Sequence, residues 1–175
     1  MRPLLGVDEY LALAAATNRI DAYTTMLIEE DRINEAIEYG QQNLHAPNNA
    51  LTLARALREH DRPQAALEIS QHGLSLDGNG KADLAEWLRD RAANLDEPEV
   101  ALEAAVTAFE AAPTLAAYQA TEELAGEDWP TVREEILRSL ANRDTTKRNA
   151  QRHVEIFLYA ERYDEAIAIA DRLSD

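Results

Sequence analysis

This chain of 175 residues carries 33 acidic and 17 basic side chains, a formal net charge of −16 that disfavours nucleic acids and anionic membranes as partners of the whole molecule. It contains no cysteine, which excludes disulfides, thiolate metal sites and cysteine nucleophiles. Apolar residues make up 46% of the chain but aromatic residues only 6%, a composition typical of closely packed helices, so we predict an all-α fold.

No segment has the length and composition of a secretory signal or a membrane span. Asp8 and Glu9 interrupt the apolar residues near the N-terminus. No apolar run approaches the ~18 residues that a transmembrane helix needs. We therefore expect a cytoplasmic protein that makes no contact with membranes.

Apolar residues recur at spacings of three and four along most of the chain, which predicts successive amphipathic helices. Asp8 is the expected N-cap of the first, and Thr145 or Thr146 that of the tenth. Ala36 and Gly40 share one face of the third, where a neighbouring helix can approach closely. In chain order, the predicted helices cover residues 10–16, 19–30, 33–44, 49–60, 63–74, 81–94, 98–112, 114–125, 129–140, 146–160 and 163–173.

A short turn motif recurs along the chain. Asp61-Arg62-Pro63 and Asp96-Glu97-Pro98 are each followed, at the same offset, by an Ala-Leu-Glu triplet. Related copies place the equivalent alanines at positions 36, 66, 101 and 166, which lie 30, 35 and 65 residues apart. A period in the low thirties is typical of stacked helical hairpins, so we predict a single domain over 1–175, a right-handed α-α superhelix of about five hairpins. The last hairpin has no capping helix, so we expect a fragment of a longer protein, or a homo-oligomer that covers its exposed end faces.

The repeating unit resembles the tetratricopeptide repeat (TPR), in which two antiparallel helices cross at small residues. Ala101, Ala108 and Pro113 match the pattern of its second helix, and Ala54 stands where a small residue of the first helix is expected. The Gly-Tyr pair of the first helix is absent throughout. The resemblance is therefore to a degenerate, TPR-like α-solenoid.

Residues 20 to 170 also resemble the helical region that follows the zinc finger in SWIM zinc-finger proteins. The most specific part is the run 109–115 with Tyr118, followed by Glu123-Leu124-Ala125 and Trp129-Pro130. In that family the zinc ligands form an upstream CxC and CxH pair, and this chain has no cysteine, so no ligand is assigned here. The resemblance implies the helical scaffold of a parent protein whose finger recruits nucleic acid or protein.

No pattern of residues points to a catalytic, metal-binding or cofactor-binding site. The four histidines lack HxxxH or HExxH spacing and fall in different predicted units. Adjacent acids such as Glu134 and Glu135 point about 100° apart on a helix and do not converge on one ion. We predict that the chain is not an enzyme and uses neither a cofactor nor a metal.

The preferred function is binding: a non-catalytic scaffold that presents the concave face of its hairpins to a protein or peptide partner. For Trp87 the favoured interpretation is a place in the core beside Leu84, Leu88 and Leu95, and an exposed ligand anchor is the alternative. Trp129, before a proline at a helix start, is interpreted as a staple over the preceding hairpin. The candidate groove residues are Tyr23, Arg55, Arg58, Trp87, Arg91 and Tyr118.

One basic segment, residues 138–152, interrupts the acidic chain. Arg148 and Arg152 could bind phosphate or an acidic partner. The alternative function is therefore a nucleic-acid-associated accessory region. The favoured interpretation is that the basic side chains pair with the chain's own carboxylates, and that direct nucleic-acid binding is disfavoured. Besides its single acid, Asp144, the segment contains Arg138, Arg143, Lys147, Arg148 and Arg152.

Overall fold

A computed structural model describes the backbone of residues 6–174 and the side chains of residues 6–172. This described part forms eleven α-helices and one short 3-10 turn and contains no β-strand, which confirms the all-α prediction. None of its helices is long and apolar enough to cross a bilayer. The first five residues and Asp175 of the predicted domain lie outside the described residues. In chain order the helices are α1 Val7–Ala16, α2 Ile20–Glu29, α3 Ile33–Asn43, α4 Pro47–Glu59, α5 Pro63–Leu74, α6 Lys81–Asn94, α7 Pro98–Ala111, α8 Leu115–Ala125, α9 Trp129–Ala141, α10 Ala150–Tyr159 and α11 Tyr163–Ser174.

Two helices begin earlier than their apolar pattern predicts. Helix α1 starts at Val7 with Gly6 as its N-cap, so the predicted cap Asp8 lies inside the first turn. A carboxylate is favourable there because the helix N-terminus carries partial positive charge. Helix α4 starts at Pro47, since the fixed φ of proline suits the first helical position and its missing N–H costs nothing there.

The helices form two compact units, Met1–Arg91 and Ala92–Asp175. In unit 1, α1 packs on α2, α2 packs on α3 and α4, and α5 packs on α3 and α4. In unit 2, α7 packs on α8 and α9, and α10 packs on α8 and α11. The single domain over 1–175 stays a prediction. Core side chains include Leu27, Leu53, Leu57, Ile69 and Leu84 in unit 1, and Phe109, Tyr118, Ile136, Leu137 and Phe157 in unit 2.

Five helix-to-helix turns share one backbone geometry. In the turn between α4 and α5, the N–H of Asp61 donates to the carbonyl of Arg58 at 3.2 Å, and the N–H of Arg62 donates to that of Leu57 at 2.9 Å. This pair of bonds is the Schellman motif, which needs a left-handed residue after the helix. Asp and Asn adopt that conformation more readily than most residues, which explains the acid in the recurring turn. The left-handed residues, with φ between 54° and 60°, are Asn18, Asp31, Asp61, Asp96 and Glu161.

Two glycines permit close helix approaches in unit 1. A Cβ atom on Gly40 of α3 would lie 2.4 Å from Cδ2 of Leu53 in α4. A Cβ atom on Gly73 of α5 would lie 2.3 Å from the Cβ atom of Ala50 in α4. Both distances are far inside van der Waals contact, so a side chain at either place requires the neighbour to move. The close approach predicted at Gly40 is thereby confirmed.

Candidate functional site

A stacked tyrosine pair lies on the surface of unit 1. The ring centroids of Tyr23 in α2 and Tyr39 in α3 are 4.0 Å apart, with 24° between the ring planes. Together with Leu27, Glu35 and Glu38 they line a depression of about 170 Å³. Burial raises the pKa of the Tyr39 hydroxyl, and the neighbouring Tyr23 adds to the effect. The pair therefore forms a half-buried aromatic surface with an acidic edge.

Five of the six predicted groove residues belong to unit 1, and Tyr118 belongs to unit 2. Arg55 and Arg58 are exposed on α4. On α6, Trp87 is half-buried against the core of unit 1, and the Arg91 guanidinium carbon lies 6.0 Å from its ring centroid. The favoured interpretation placed Trp87 in the core, and the ring packs against that core while it stays partly exposed.

Tyr118 is the centre of an aromatic cluster in unit 2. Its side chain is only 1% exposed. Three rings surround it edge-to-face, with centroid distances of 6.0 Å to Phe109, 5.1 Å to Trp129 and 5.8 Å to Tyr159. Edge-to-face pairs stabilise one another beyond the area they bury, so the cluster holds its members in fixed orientations. Trp129, the first residue of α9, packs against this core and contacts the Tyr118 ring of α8, and the staple interpretation stays a prediction.

Hydrogen bonds tie this cluster to three helices. The Arg133 guanidinium on α9 donates to the Tyr118 hydroxyl at 3.3 Å and also to the carbonyl of Ala160. The Tyr159 hydroxyl donates to the Glu122 carboxylate at 3.3 Å. Burial raises the pKa of Tyr118, and the hydrogen bond from Arg133 opposes that effect. The hydroxyl is neutral and accepts a hydrogen bond from a cation.

The outer side of the cluster borders a pocket of about 370 Å³, here called the aromatic pocket. Tyr159 is 47% exposed and Trp129 is half-buried, so both rings offer apolar area to an occupant. No local pattern predicts this convergence, because most of the contributing residues come from three different helices, α8, α9 and α10. Its walls are Tyr118, Glu122, Trp129, Pro130, Arg133, Tyr159, Ala160 and Glu161.

The basic segment 138–152 is not neutralised in the way the sequence suggested. Within the described part of the chain, ion pairs engage Arg32, Arg89 and Arg162, and none engages a basic residue of the segment. Arg143 instead donates to the backbone carbonyl of Glu110. Positive charge in this segment is therefore available to a ligand.

A second pocket of about 370 Å³, here called the cationic pocket, lies against this segment. Arg143 and Arg152 line it, whereas Arg148, which the sequence paired with Arg152, does not. The remaining wall comes from the end of α7 and the chain that follows it. The complete lining is Ala111, Ala112, Pro113, Arg143, Asp144, Asn149, Arg152 and His153.

A hydrogen-bonded turn holds the segment against α10. The backbone N–H and the hydroxyl of Thr146 donate to the Asn149 side-chain oxygen at 2.7 and 3.2 Å, and the Asn149 N–H donates to the Thr146 carbonyl at 3.1 Å. Because these residues close a turn, α10 begins only at Ala150, later than the predicted cap at Thr145 or Thr146.

His153 is the site residue that the sequence did not single out. Its side chain is 2% exposed, and Nδ1 lies 3.4 Å from the Thr145 hydroxyl oxygen. Burial lowers the pKa of the ring, and the positive charge of Arg143 lowers it further. The imidazole is therefore neutral at pH 7 and lines the cationic pocket together with Arg143 and Arg152.

The His153→Gln variant should lose less free energy of unfolding than wild type when the pH is lowered. The pKa of the buried ring is depressed below the unfolded value of about 6.5, so stability is fully present above that pH and is lost as pH falls through the folded pKa. Three charged residues line the same pocket as His153. Arg143 and Arg152 oppose protonation of the imidazole, and Asp144 favours it. Thermal unfolding between about pH 7.5 and about pH 5 measures the effect. The control is His72→Gln, an exposed site. Parallel curves for wild type and His153→Gln would contradict the assignment.

In the part of the chain that the structure describes, no three His, Asp or Glu side chains lie close enough together to hold a metal ion. No protein-family model, curated protein or solved structure matches the chain. The resemblances to TPR arrays and to SWIM zinc-finger proteins therefore stay predictions. Support for a function comes from the chain's own residues.

Proposed function

We propose that this chain is a non-catalytic scaffold that binds a protein partner, and that the partner docks at the aromatic pocket of unit 2. The observation that carries the proposal is the convergence of Trp129, Tyr159 and Arg133 around one concavity. Tryptophan, tyrosine and arginine are the residue types that carry most of the binding energy in protein interfaces.

The rings of the pocket are held in place before any partner arrives. Tyr118 contacts Trp129 and Tyr159 edge-to-face, and Arg133 is bound to Tyr118 and to a backbone carbonyl. An interface made of side chains that are already ordered loses less conformational entropy on binding. This preorganisation favours a binding role for the pocket.

Apolar side chains also emerge beside the pocket on the α10–α11 hairpin. The exposed large apolar residues there are Leu158, Tyr159, Tyr163 and Ile167. Exposed apolar area that clusters on one element is typical of an interaction surface. A partner that enters the aromatic pocket would cover the α10 part of this hairpin as well, whereas Tyr163 of α11 lies outside the pocket.

Photo-crosslinking tests the proposal. We expect p-benzoylphenylalanine in place of Tyr159 to capture a distinct protein in the native cells, because the ring faces the occupant of the pocket. The matched control places the same group at Tyr163, which is 57% exposed and does not line the pocket. Absence of a product at 159, or the same products at both positions, would count against the pocket. A covalent dimer at 163 would assign α11 to self-association.

We further propose that the hairpins form a TPR-like α-α superhelix, as the helical region of a SWIM zinc-finger-type protein. The five turns of shared geometry support a repeating hairpin unit. A solenoid would present its exposed candidate groove residues, such as Arg55 and Arg58, on its concave face.

The unpaired basic segment favours a second candidate, a nucleic-acid-associated accessory region. Its binding to an oligonucleotide would weaken steeply with salt, because phosphate contacts release counterions, whereas docking at the aromatic pocket would not. Charge reversal at Arg148 and Arg152 should abolish such binding. Unchanged oligonucleotide affinity in that variant would remove this candidate.

A further inference from the structure

Two arginines without carboxylate partners line the cationic pocket together. Where arginines of the described residues are paired, the contact is close: Arg162 binds Glu134 at 3.2 Å and also Glu165, which lowers the pKa of Glu165. Among the described residues, neither Arg143 nor Arg152 forms an ion pair. Arg143 uses part of its donor capacity on the carbonyl of Glu110, and the other N–H groups of the two guanidinium groups can bind a carboxylate from outside.

The charge of the pocket suits a single small anion. Its lining holds the guanidinium groups of Arg143 and Arg152 and the carboxylate of Asp144, which leaves one net positive charge while His153 is neutral. One carboxylate neutralises that charge.

The groups of the pocket are positioned by contacts that do not involve a ligand. Arg143 is fixed to the Glu110 carbonyl, and the bonds between Thr146 and Asn149 hold its segment beside α10. His153 is buried beneath them. The volume of about 370 Å³ lies within the range of small-ligand pockets and accommodates an acidic side chain.

We infer that the cationic pocket binds a glutamate or aspartate carboxylate in an acidic segment of a partner protein. Arg143 and Arg152 bind the carboxylate oxygens, and Ala112 and Pro113 contact the aliphatic part of the side chain. This inference rests on the proposed protein-binding function and adds a second, charge-selective contact to it.

Fluorescence anisotropy with the full-length protein tests the inference. The probe is a labelled hexaglutamate peptide, and a hexaglutamine peptide of the same length is the control. We expect saturable binding of hexaglutamate and no binding of hexaglutamine. The Arg152→Gln variant should weaken it about tenfold, the loss expected for one charge-assisted hydrogen bond. Arg143→Gln is the second variant, and circular dichroism verifies that both are folded.

Variants with the same change of charge distinguish binding in the cationic pocket from a general electrostatic attraction by the basic segment. Arg138→Gln and Lys147→Gln remove the same charge from the same segment, but neither residue lines the pocket. We expect less than about a twofold change for each, since exposed charges act weakly through solvent. An equal loss in these variants, or no binding of hexaglutamate, would overturn the inference. If an oligonucleotide bound more tightly than the peptide, and Arg152→Gln weakened that binding, the ligand of the pocket would be nucleic acid and the inference would be wrong.

The Tyr159→Ala variant distinguishes this inference from the proposed function. Tyr159 lines the aromatic pocket and not the cationic pocket, so hexaglutamate affinity should be unchanged. Normal peptide binding with no crosslinking at 159 would contradict the aromatic docking site alone. Crosslinking at 159 without peptide binding would contradict the carboxylate site alone.

Discussion

Replacing Phe157 with alanine should destabilise unit 2 by about 3–5 kcal/mol, the range for deleting a buried phenylalanine side chain. Phe157 is 1% exposed and lies in the core cluster with Ile136, Leu137 and Leu140. Its removal loses apolar burial and leaves a cavity, because close-packed neighbours relax only in part. Chemical denaturation in a Trp87→Phe background measures the effect, since Trp129 fluorescence then reports on unit 2.

Tyr163→Ala is the control for this variant, because Tyr163 is exposed and its loss should change stability by less than about 0.5 kcal/mol. Equal stability of the Phe157→Ala and Tyr163→Ala variants would contradict the assigned core. A Trp129→Phe variant, in which Trp87 reports on unit 1, adds a second result. Coincident transitions at the two tryptophans would support the predicted single domain, and separate transitions would contradict it.

Replacing Gly73 with alanine should destabilise unit 1 by about 1–3 kcal/mol, the cost typical of overpacking. The new methyl group would lie 2.3 Å from the Cβ atom of Ala50 and 2.7 Å from Cδ2 of Leu84. Because the Ala50 Cβ atom moves only with its backbone, α4 and α5 must separate. Thermal or urea unfolding monitored at Trp87 measures the loss.

Gly40→Ala is a matched comparison on a neighbouring helix. There the close atom is Cδ2 of Leu53, at the end of a side chain that can rotate, so we expect a smaller loss than at Gly73. Alanine in an open helical site would stabilise by roughly 1 kcal/mol over glycine. A stabilised Gly73→Ala variant would therefore show that the helices are not in close contact at this position.

Local signals carried most of what the sequence predicted about the fold. Apolar spacing located every helix, and the prolines at 63 and 98 marked helix starts because proline suits the first turn. The acid in the recurring turn pointed to the α4–α5 and α6–α7 connections. The left-handed conformation of Asp61 and Asp96, which explains that acid, became visible only in the backbone.

The candidate sites depend on contacts between helices, and periodicity carries little information about these. Tyr23 was named from the sequence, but its stacking partner Tyr39 lies on the next helix, α3, and no sequence pattern linked the two. Tyr118 was expected in a groove and is instead the buried support of the aromatic pocket. Its partner Tyr159 was not singled out, because the two residues lie on different helices.

Charge patterning identified the basic segment but not its pocket. Arg152 lines the pocket, whereas Arg148 does not, because the turn closed by Thr146 and Asn149 decides which side chains lie against the end of α7. The burial of His153 depends on the same turn. Neither outcome is encoded in the local order of basic residues.

The affinity of the partner captured at position 159 for wild type and for Tyr159→Ala is the most direct test of the proposed scaffold function. Isothermal titration with the full-length protein measures both values, with Tyr163→Ala as the exposed control. We predict a loss of at least about thirtyfold for Tyr159→Ala, the effect of removing an interface hot spot, and less than about a twofold change for Tyr163→Ala. Equal affinities of wild type and Tyr159→Ala would contradict docking at the aromatic pocket.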